Sequence, residues 1–436
     1  MLTNKDKSAP VHLITLGCSK NIVDSEVLAN QLTSQDVNVF FTPNFNKNST
    51  VIVNTCGFIE SAKEESIQTI LNYVDLKNKG KIKKIMVTGC LSQRYKNELS
   101  QEIPEVDRWF GNMELPLILQ EFNLDYKKNL LDQRFLSTPK HYAYLKISEG
   151  CNRTCSFCAI PLMRGKHQSK PMENILFEAE NLVNQGVKEI MLIAQELTYY
   201  GLDIYHKRML PQLLEKLAQI KGLEWIRLHY SYPHQFPLDI ISVMRDHKNI
   251  CNYLDLPLQH INNRILKSMK RQLTKIEIMN LIEKIYKIIP NINIRTTFIV
   301  GYPSETKSEF KELIDFVQQQ KFSRLGVFTY SHEENTSAFN LKNDIETKIK
   351  NERLEELMAI QQEISYQQNL KKIHSIQKVL IDKKEAGVYL GRTEADSVEV
   401  DNEVIVKSNQ ALKVGHFYNV KITKAYDYDL EGEIIN

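Results

Sequence analysis

The chain has 436 residues, of which 42% are hydrophobic and 25% charged, and its formal net charge is only +3. Such a length exceeds one ordinary core and sets an expectation of two or three domains, while so small a net charge leaves no whole-chain footprint for nucleic acid. The start, Met1 to Ser8, is polar without an apolar leader, no run approaches the roughly 18 apolar residues that span a bilayer, and an odd count of seven cysteines argues against a disulfide framework, so a cytoplasmic protein is expected.

Residues 11–130 alternate short β-like runs with amphipathic helical stretches, the pattern of a parallel α/β domain. The runs Val11–Thr15, Val51–Asn54 and Ile85–Thr88 are each followed within a few residues by a cysteine beside a glycine: Cys18 after Gly17, Cys56 before Gly57 and Cys90 after Gly89. In an open parallel sheet the carboxyl ends of the strands lie along one edge, where ligands bind. Any one of these thiols could be a packed core cysteine. Three at three strand ends predict a three-thiolate iron-sulfur site. Cys251 reads as a buried small hydrophobe.

Residues 131–140, with Ser137, Thr138 and Pro139, read as a linker. Six β-like runs follow, Tyr144–Ser148, Glu189–Gln195, Trp225–Tyr230, Tyr253–Leu258, Asn293–Val300 and Arg324–Tyr330, separated by helical segments. Six β/α units predict an incomplete (β/α)6 TIM-like barrel whose working face lies at the strand carboxyl ends. After the first run comes Glu149-Gly-Cys-Asn-Arg-Thr-Cys-Ser-Phe-Cys158, with Cys151, Cys155 and Cys158 spaced C-x3-C-x2-C. Three thiolates hold a cubane cluster and leave one iron open, where the amino and carboxylate groups of S-adenosylmethionine can bind and the sulfonium can receive an electron. Zinc would need a fourth ligand, for which His167 is the nearest histidine. The polar residues that end the later runs, Gln195 and Glu196, His229 and Tyr230, Gln259 and His260, and Arg295 to Thr297, become candidate site residues, as does the turn Gly301–Glu305. Each could equally be a solvated or hydrogen-bonded loop residue.

From Asp344 to Lys372 a charged amphipathic helix is expected, its charge run a solvated face. The runs Lys378–Asp382, Glu403–Val406 and Tyr418–Ile422 predict a small β-barrel over 373–436. That tail has 8 Lys plus Arg against 11 Asp plus Glu, a net of −3. An RNA-gripping tail should be basic, whereas an acidic one suits a basic protein partner. The domains expected are thus 1–130, 131–372 and 373–436.

Glu149-Gly-Cys-Asn-x-x-Cys-x-Phe-Cys-Ala-Ile-Pro161 with Arg164-Gly165 resembles the radical SAM core of the methylthiotransferase family. Leu16-Gly-Cys-Ser-Lys-Asn21 with Asp24-Ser-Glu26, Asn54-Thr-Cys-Gly-Phe58 and Gly89-Cys90 resemble its amino-terminal domain, and the tail resembles a TRAM domain. The resemblance implies two 4Fe-4S clusters, with Cys151, Cys155 and Cys158 holding the radical-generating one and Cys18, Cys56 and Cys90 the auxiliary one that delivers sulfur. It also implies insertion of sulfur and then a methyl group at an unactivated C–H bond. One S-adenosylmethionine would supply the 5'-deoxyadenosyl radical and another the methyl group. Gln195, Glu196, Arg295 and Glu305 are the expected contacts to the nucleoside or amino-acid part of that cofactor.

One branch of the family modifies a transfer-RNA adenosine, the other an aspartate β-carbon of ribosomal protein uS12. Gln195–Asp203, Arg227–Pro233, Tyr253–His260 and Val327–Glu334 look like the uS12 branch, the RimO type. That branch implies uS12, free or in the small subunit, as partner, with a reductant such as flavodoxin or ferredoxin and a monomeric enzyme. A transfer-RNA methylthiotransferase is the alternative, and a non-catalytic zinc-bearing RNA-binding module a distant one. Two residues depart from the family pattern. Ser304 stands where members often have Gly, which argues against a strict positive-φ turn, and Lys170 stands where they have Arg, which argues against a bidentate contact.

Overall fold

The computed structural model describes residues 9–435, so the polar start read from Met1 to Ser8 lies outside the described residues. The first β-branched runs form a parallel sheet of β1 (Val11–Thr15), β2 (Val39–Phe40), β3 (Thr50–Thr55), β4 (Lys84–Gly89) and β5 (Arg108–Trp109), in the order β2-β1-β3-β4-β5. Helices α1 (Ser19–Thr33), α2 (Glu60–Asn78), α3 (Cys90–Glu102) and α4 (Leu115–Gln120) complete the domain. Leu13, Ile52 and Met86 pack on Leu28, Leu32 and Ile118 on one face of the sheet, and Val51, Val53 and Val87 on Ile70 and Val74 on the other. Burial of both faces is why the central β3 carries consecutive apolar residues, Val51 to Val53.

The second sheet contains β6 (Tyr142–Lys146), β9 (Glu189–Ile193), β10 (Trp225–Leu228), β11 (Ile250–Asp255), β12 (Asn293–Val300) and β13 (Arg324–Thr329). Its order, β13-β12-β11-β10-β9-β6, is parallel throughout and leaves the barrel open between β13 and β6. The short pair β7 (Ser148–Glu149) and β8 (Gln168–Ser169) brackets the cysteine loop and α5 (Ile160–Arg164). Alternate strand residues, such as Leu145, Ile190, Leu192, Ile226, Leu254 and Ile294, pack in the core formed with α6 (Met172–Asn184), α7 (Leu210–Ala218), α8 (Asp239–Asp246), α10 (Lys275–Ile288) and α11 (Lys307–Gln320). The short α9 (Asn263–Ser268) is capped by Asn262.

The connecting helix α12 (Thr347–Leu370) exposes Glu352, Glu355, Glu356 and Glu363 as the expected solvated face, but the opposite face is not simply apolar. Its buried stripe, Lys350, Arg353, Leu357, Gln361, Ser365 and Asn369, is largely polar. Two of these side chains satisfy barrel carbonyls, Gln361 donating to Phe322 O and Arg353 to Glu305 O, and Asn369 holds the tail by donating to Tyr426 O and Tyr428 O. The open edge is thus covered by hydrogen bonds together with apolar packing of Leu357 and Ile364 into the barrel core.

The tail closes as a five-stranded barrel of β14 (Ile376–Glu385), β15 (Val388–Arg392), β16 (Val404–Lys407), β17 (Phe417–Ala425) and β18 (Leu430–Ile434). Its Thr393–Asp401 loop reaches the face of the second sheet that is turned away from the helices. There Asp396 takes Arg324, Asp401 takes Arg295 at 3.3 Å and the Tyr253 hydroxyl at 2.7 Å, and Glu399 takes the Tyr144 hydroxyl at 3.3 Å. Arg392 pairs with Glu189 at 2.7 Å, and Asp382 accepts from both Arg392 and His141. Two of the eleven tail carboxylates, Asp396 and Asp401, are thus taken up by barrel arginines, and Asp382 by the tail's own Arg392, which leaves the outward charge of the tail nearly balanced. The −3 balance is not an outward acidic face, and as an argument for a basic partner it falls.

Candidate active site at a domain interface

Cys18 immediately precedes α1, Cys56 follows β3, and Cys90 opens α3 after β4. Because β1, β3 and β4 are neighbours in the sheet, these thiols share one edge. Gly17, at φ +84°, lies so close to Cys56 that a Cβ there would fall 2.6 Å from its Cβ and 2.8 Å from its Sγ. Burial pushes the Cys56 thiol up and that of Cys90 to about 11, against the pull of Arg164. Metal must therefore expel the thiol protons, and a fixed guanidinium offsets the charge left behind.

The second trio occupies the loop between β7 and α5. Gly150, at φ +75°, runs so close to the return strand that a Cβ would come 2.2 Å from Lys166 O. The loop is pinned by Cys151 N–H to Gly165 O at 3.1 Å and Cys158 N–H to Cys155 O at 3.2 Å. Burial raises the Cys151 thiol to about 11 and that of Cys158 to about 12. Arg271 Nη1 lies 3.4 Å from Cys155 Sγ, and the Tyr232 hydroxyl 3.7 Å. Arg153 stacks over Tyr199 and Tyr232, 3.9 Å from each ring centre, and its Nη2 pairs with Glu196 at 2.7 Å.

Arg164, on the short helix that follows the second trio, reaches the first. From the end of α5 its Nε donates to Cys90 Sγ at 3.3 Å, its Nη1 to Asp24 at 2.6 Å and Glu149 at 3.3 Å, and its Nη2 to Asn21. Lys146 bonds Asp24 and, at 2.6 Å, Glu149, whose other oxygen accepts from Gln195 at 2.6 Å. Asp24 and Glu149 are both held below the usual carboxylate range; burial opposes this, and Lys146 and Arg164 prevail. Around this network Cys90 packs on Ala159 and Met163.

Residues 10–111 match the model of an uncharacterized protein family, UPF0004, residues 145–317 the radical SAM superfamily, and residues 374–435 the TRAM domain. A ribosomal protein uS12 methylthiotransferase RimO of Christiangramia forsetii is 52% identical over 100% of this chain and 96% of its own length. Its namesake in Cytophaga hutchinsonii is 50% identical over 100% of both. The chain belongs to the RimO family. In fold alone it is similar to the radical S-adenosylmethionine methyltransferase TsrM from Kitasatospora setae, with a TM-score of 0.55 and 14% identity over 74% of this chain and 75% of that one. It is also similar to the cobalamin-dependent radical enzyme OxsB, with a TM-score of 0.51 and 13% identity over 81% and 56%.

In this RimO-family chain three of the four expected cofactor contacts are engaged by neighbouring protein groups. Glu196 is taken by Arg153 and by the backbone and hydroxyl of Thr198, and Arg295 by Asp255 and Asp401. Glu305 holds Gly301 N–H, Arg353 and, at 3.3 Å, His260 Nε2. Of the four, only Gln195 has a buried polar atom without a partner among the described residues. Its Oε1 is buried without a partner, as is that of Gln259, both at carboxyl ends of barrel strands. Orphaned buried acceptors call for a donor-bearing ligand, and the amino and hydroxyl groups of S-adenosylmethionine are such donors.

The donor sets fit clusters better than a single ion. Among the described residues no three His, Cys, Asp or Glu side chains gather around one metal position. His167 faces Ser169, with Nε2 to Oγ at 3.0 Å, rather than the cysteines. A cubane presents separate irons to separate thiols, so its ligands need no common point. Ser304 adopts φ +63° although it is not glycine, held by Asp344 at its N–H and by Arg264 at its Oγ and carbonyl. The positive-φ turn therefore survives the substitution. Lys170 bonds Asp132 at 2.5 Å and also Glu178, a pairing for which a point charge suffices. Arg153, Arg271 and Tyr232 escaped sequence reasoning. Arg153 stands inside the cysteine motif and Tyr232 inside the segment Arg227–Pro233, but no local pattern marks Arg271.

Proposed function

We propose that this chain is a methylthiotransferase acting on an aspartate β-carbon of ribosomal protein uS12, with its site at the meeting of the two cysteine trios. The single observation that carries this reading is the bridge from Arg164 to Cys90, which joins the sulfur-rich edge of the first domain to the mouth of the barrel within one chain. Cys151, Cys155 and Cys158 hold the radical-generating 4Fe-4S cluster, and Cys18, Cys56 and Cys90 the auxiliary one. When bound, the clusters and two equivalents of S-adenosylmethionine supply the electron, the hydrogen-abstracting carbon radical, the sulfur and the methyl group.

The chain's own residues hold and insulate this chemistry. Arg271 directs an N–H at Cys155, and a donor to cluster sulfur favours the reduced state, while Tyr232 gives its O–H to the Arg271 carbonyl at 3.0 Å and so helps hold that arginine in place. Gln195 is fixed through Nε2 by Glu149, so its free Oε1 faces a cofactor in one orientation. Val398 of the third domain and Ile22, Val23 and Val27 of α1 cover Tyr142, Tyr144, Met191 and Ile193 on the barrel's inner face, where a radical must be kept from water.

Both trios come from one chain, so a monomer suffices, and a low-potential donor such as flavodoxin or ferredoxin meets the clusters' needs. A ribosomal substrate supports a cytoplasmic location. No helix among the described residues is long and apolar enough to cross a membrane. The test is anaerobic reconstitution followed by incubation with S-adenosylmethionine, reductant and either uS12 or transfer RNA. A methylthio increment on the aspartate of uS12 alone is expected. Uptake of one zinc without iron, or modification of the RNA alone, would defeat the proposal.

A further inference from the structure

Lys20 is a largely buried lysine with no anion beside it among the described residues. It lies in α1, two residues past Cys18, and is only 7% exposed. Its Nζ sits 3.0 Å from the centre of the Tyr230 ring, and among the described residues it has neither an ion pair nor a hydrogen bond. The carboxylates nearby are already engaged. Asp24, one turn further along α1, is taken by Lys146 and Arg164, Glu149 by the same pair and Gln195, and Asp255 by Arg295 and the Tyr230 N–H. An aromatic face only partly replaces the water an ammonium loses on burial, so a site of this kind is complete when an anion enters.

Tyr230 is a second, independent sign. Its φ is +62°, a conformation an aromatic L-residue rarely adopts. The strain is maintained by Asp255 Oδ2, which accepts the Tyr230 N–H at 2.9 Å, and by Leu197 N–H, which donates to the Tyr230 carbonyl at 3.2 Å. Such outliers persist where surrounding bonds impose them, and they cluster at ligand clamps. Here the strain presents the ring, from just past the carboxyl end of β10, to a lysine of the other domain. Lys20 therefore stands beside one trio, facing the strand-end mouth that carries the other.

We infer that Lys20 receives the side-chain carboxylate of the substrate aspartate and so seats its β-carbon between the two cysteine trios. The inference rests on the proposed function and names its specificity determinant. The carboxylate is one bond from the β-carbon, so a fixed ammonium positions the reacting C–H directly. An adenine base offers no such anion, so the same lysine selects a protein aspartate over a nucleobase. The carboxylate of S-adenosylmethionine shares this chemistry, and the test separates the two.

The test uses the reconstituted protein with both clusters, uS12, and uS12 with the target aspartate changed to asparagine. Wild type should favour the aspartate form by about tenfold or more in kcat/KM, the usual scale for a hydrogen bond to a charged group. K20M should bring that ratio close to one by raising KM for the aspartate form, with iron content and S-adenosylmethionine affinity unchanged, and K20R should restore most of the preference. A purely structural lysine would weaken both substrates alike. An unaltered ratio in K20M, or a defect that falls on S-adenosylmethionine binding instead, overturns the inference. Wild-type protein that modifies neither form of uS12 would overturn the proposed function and the inference with it.

Discussion

Arg164 Nε donates to Cys90 Sγ at 3.3 Å, across the boundary between the first domain and the barrel. The same guanidinium is anchored by Asp24 and Glu149, so its charge is fixed beside the thiol rather than swung in from solvent. A positive donor at a cluster thiolate stabilises the reduced, more negative state. R164Q should shift the reduction potential of the amino-terminal cluster downward by roughly several tens of millivolts, as loss of an outer hydrogen bond does. An EPR-monitored redox titration reads this directly, and an unmoved potential would mean that the contact is only structural.

The two trios should be separable by metal analysis. C56A and C90A should each lose about half of the reconstituted iron while the signal of the barrel cluster persists, and C155A should do the converse. C251A should retain all of it, because Cys251 is buried among Trp225, Tyr253 and Leu380, away from both trios. Full iron in C56A would remove the amino-terminal cluster from the account.

The third domain is tied to the barrel by buried charge. Asp396 accepts from Arg324 and from the Thr393 hydroxyl at 2.6 Å, with Asp396 and Arg324 both buried. D396A leaves Arg324 buried without its partner and should cost about 3–5 kcal/mol, measured by urea unfolding. E224A removes a pair with Lys378 whose side chains are 43% and 48% exposed, and should cost under about 1 kcal/mol. Equal losses in the two variants would contradict this reading of the interface.

Much of this site is legible in the sequence because it follows from periodicity. Val11–Thr15, Asn293–Val300 and the other apolar runs become strands, and a residue just past a parallel strand must lie on the carboxyl edge, which places Cys18, Cys56 and Cys90 and the start of the loop that carries Cys151, Cys155 and Cys158. Contacts between domains have no such local signature. Lys20 over Tyr230, Arg164 against Asp24 and the arm from Thr393 to Asp401 each join residues far apart in sequence, and nothing near either partner specifies the other. Tail charge misleads for the same reason, since a sum over residues does not say which way a carboxylate points. The two-residue strands β2 and β5 are too short to show alternation.

Acid should loosen the turn after β12. Glu309 closes the capping box of α11 with Thr306 and binds Arg264, which also holds Ser304. The Arg264 hydrogen bond, foremost among several, holds the Glu309 carboxyl down at about 2, against an ordinary 4.5. A carboxyl lowered on folding stabilises the protein above its ordinary pKa and loses that contribution as pH falls toward the folded value. The gap in urea midpoint between wild type and E309Q should therefore be full at about pH 6 and narrow steadily below about pH 4.5. A gap that stays constant to about pH 3 would show that Glu309 acts through shape alone.

The most direct test of the account is the mass spectrum of uS12, alongside that of bulk transfer RNA, from cells lacking this protein. The account predicts that uS12 loses its methylthio group while methylthiolated adenosine in the RNA is unchanged. Loss of the modified adenosine with uS12 intact would contradict it.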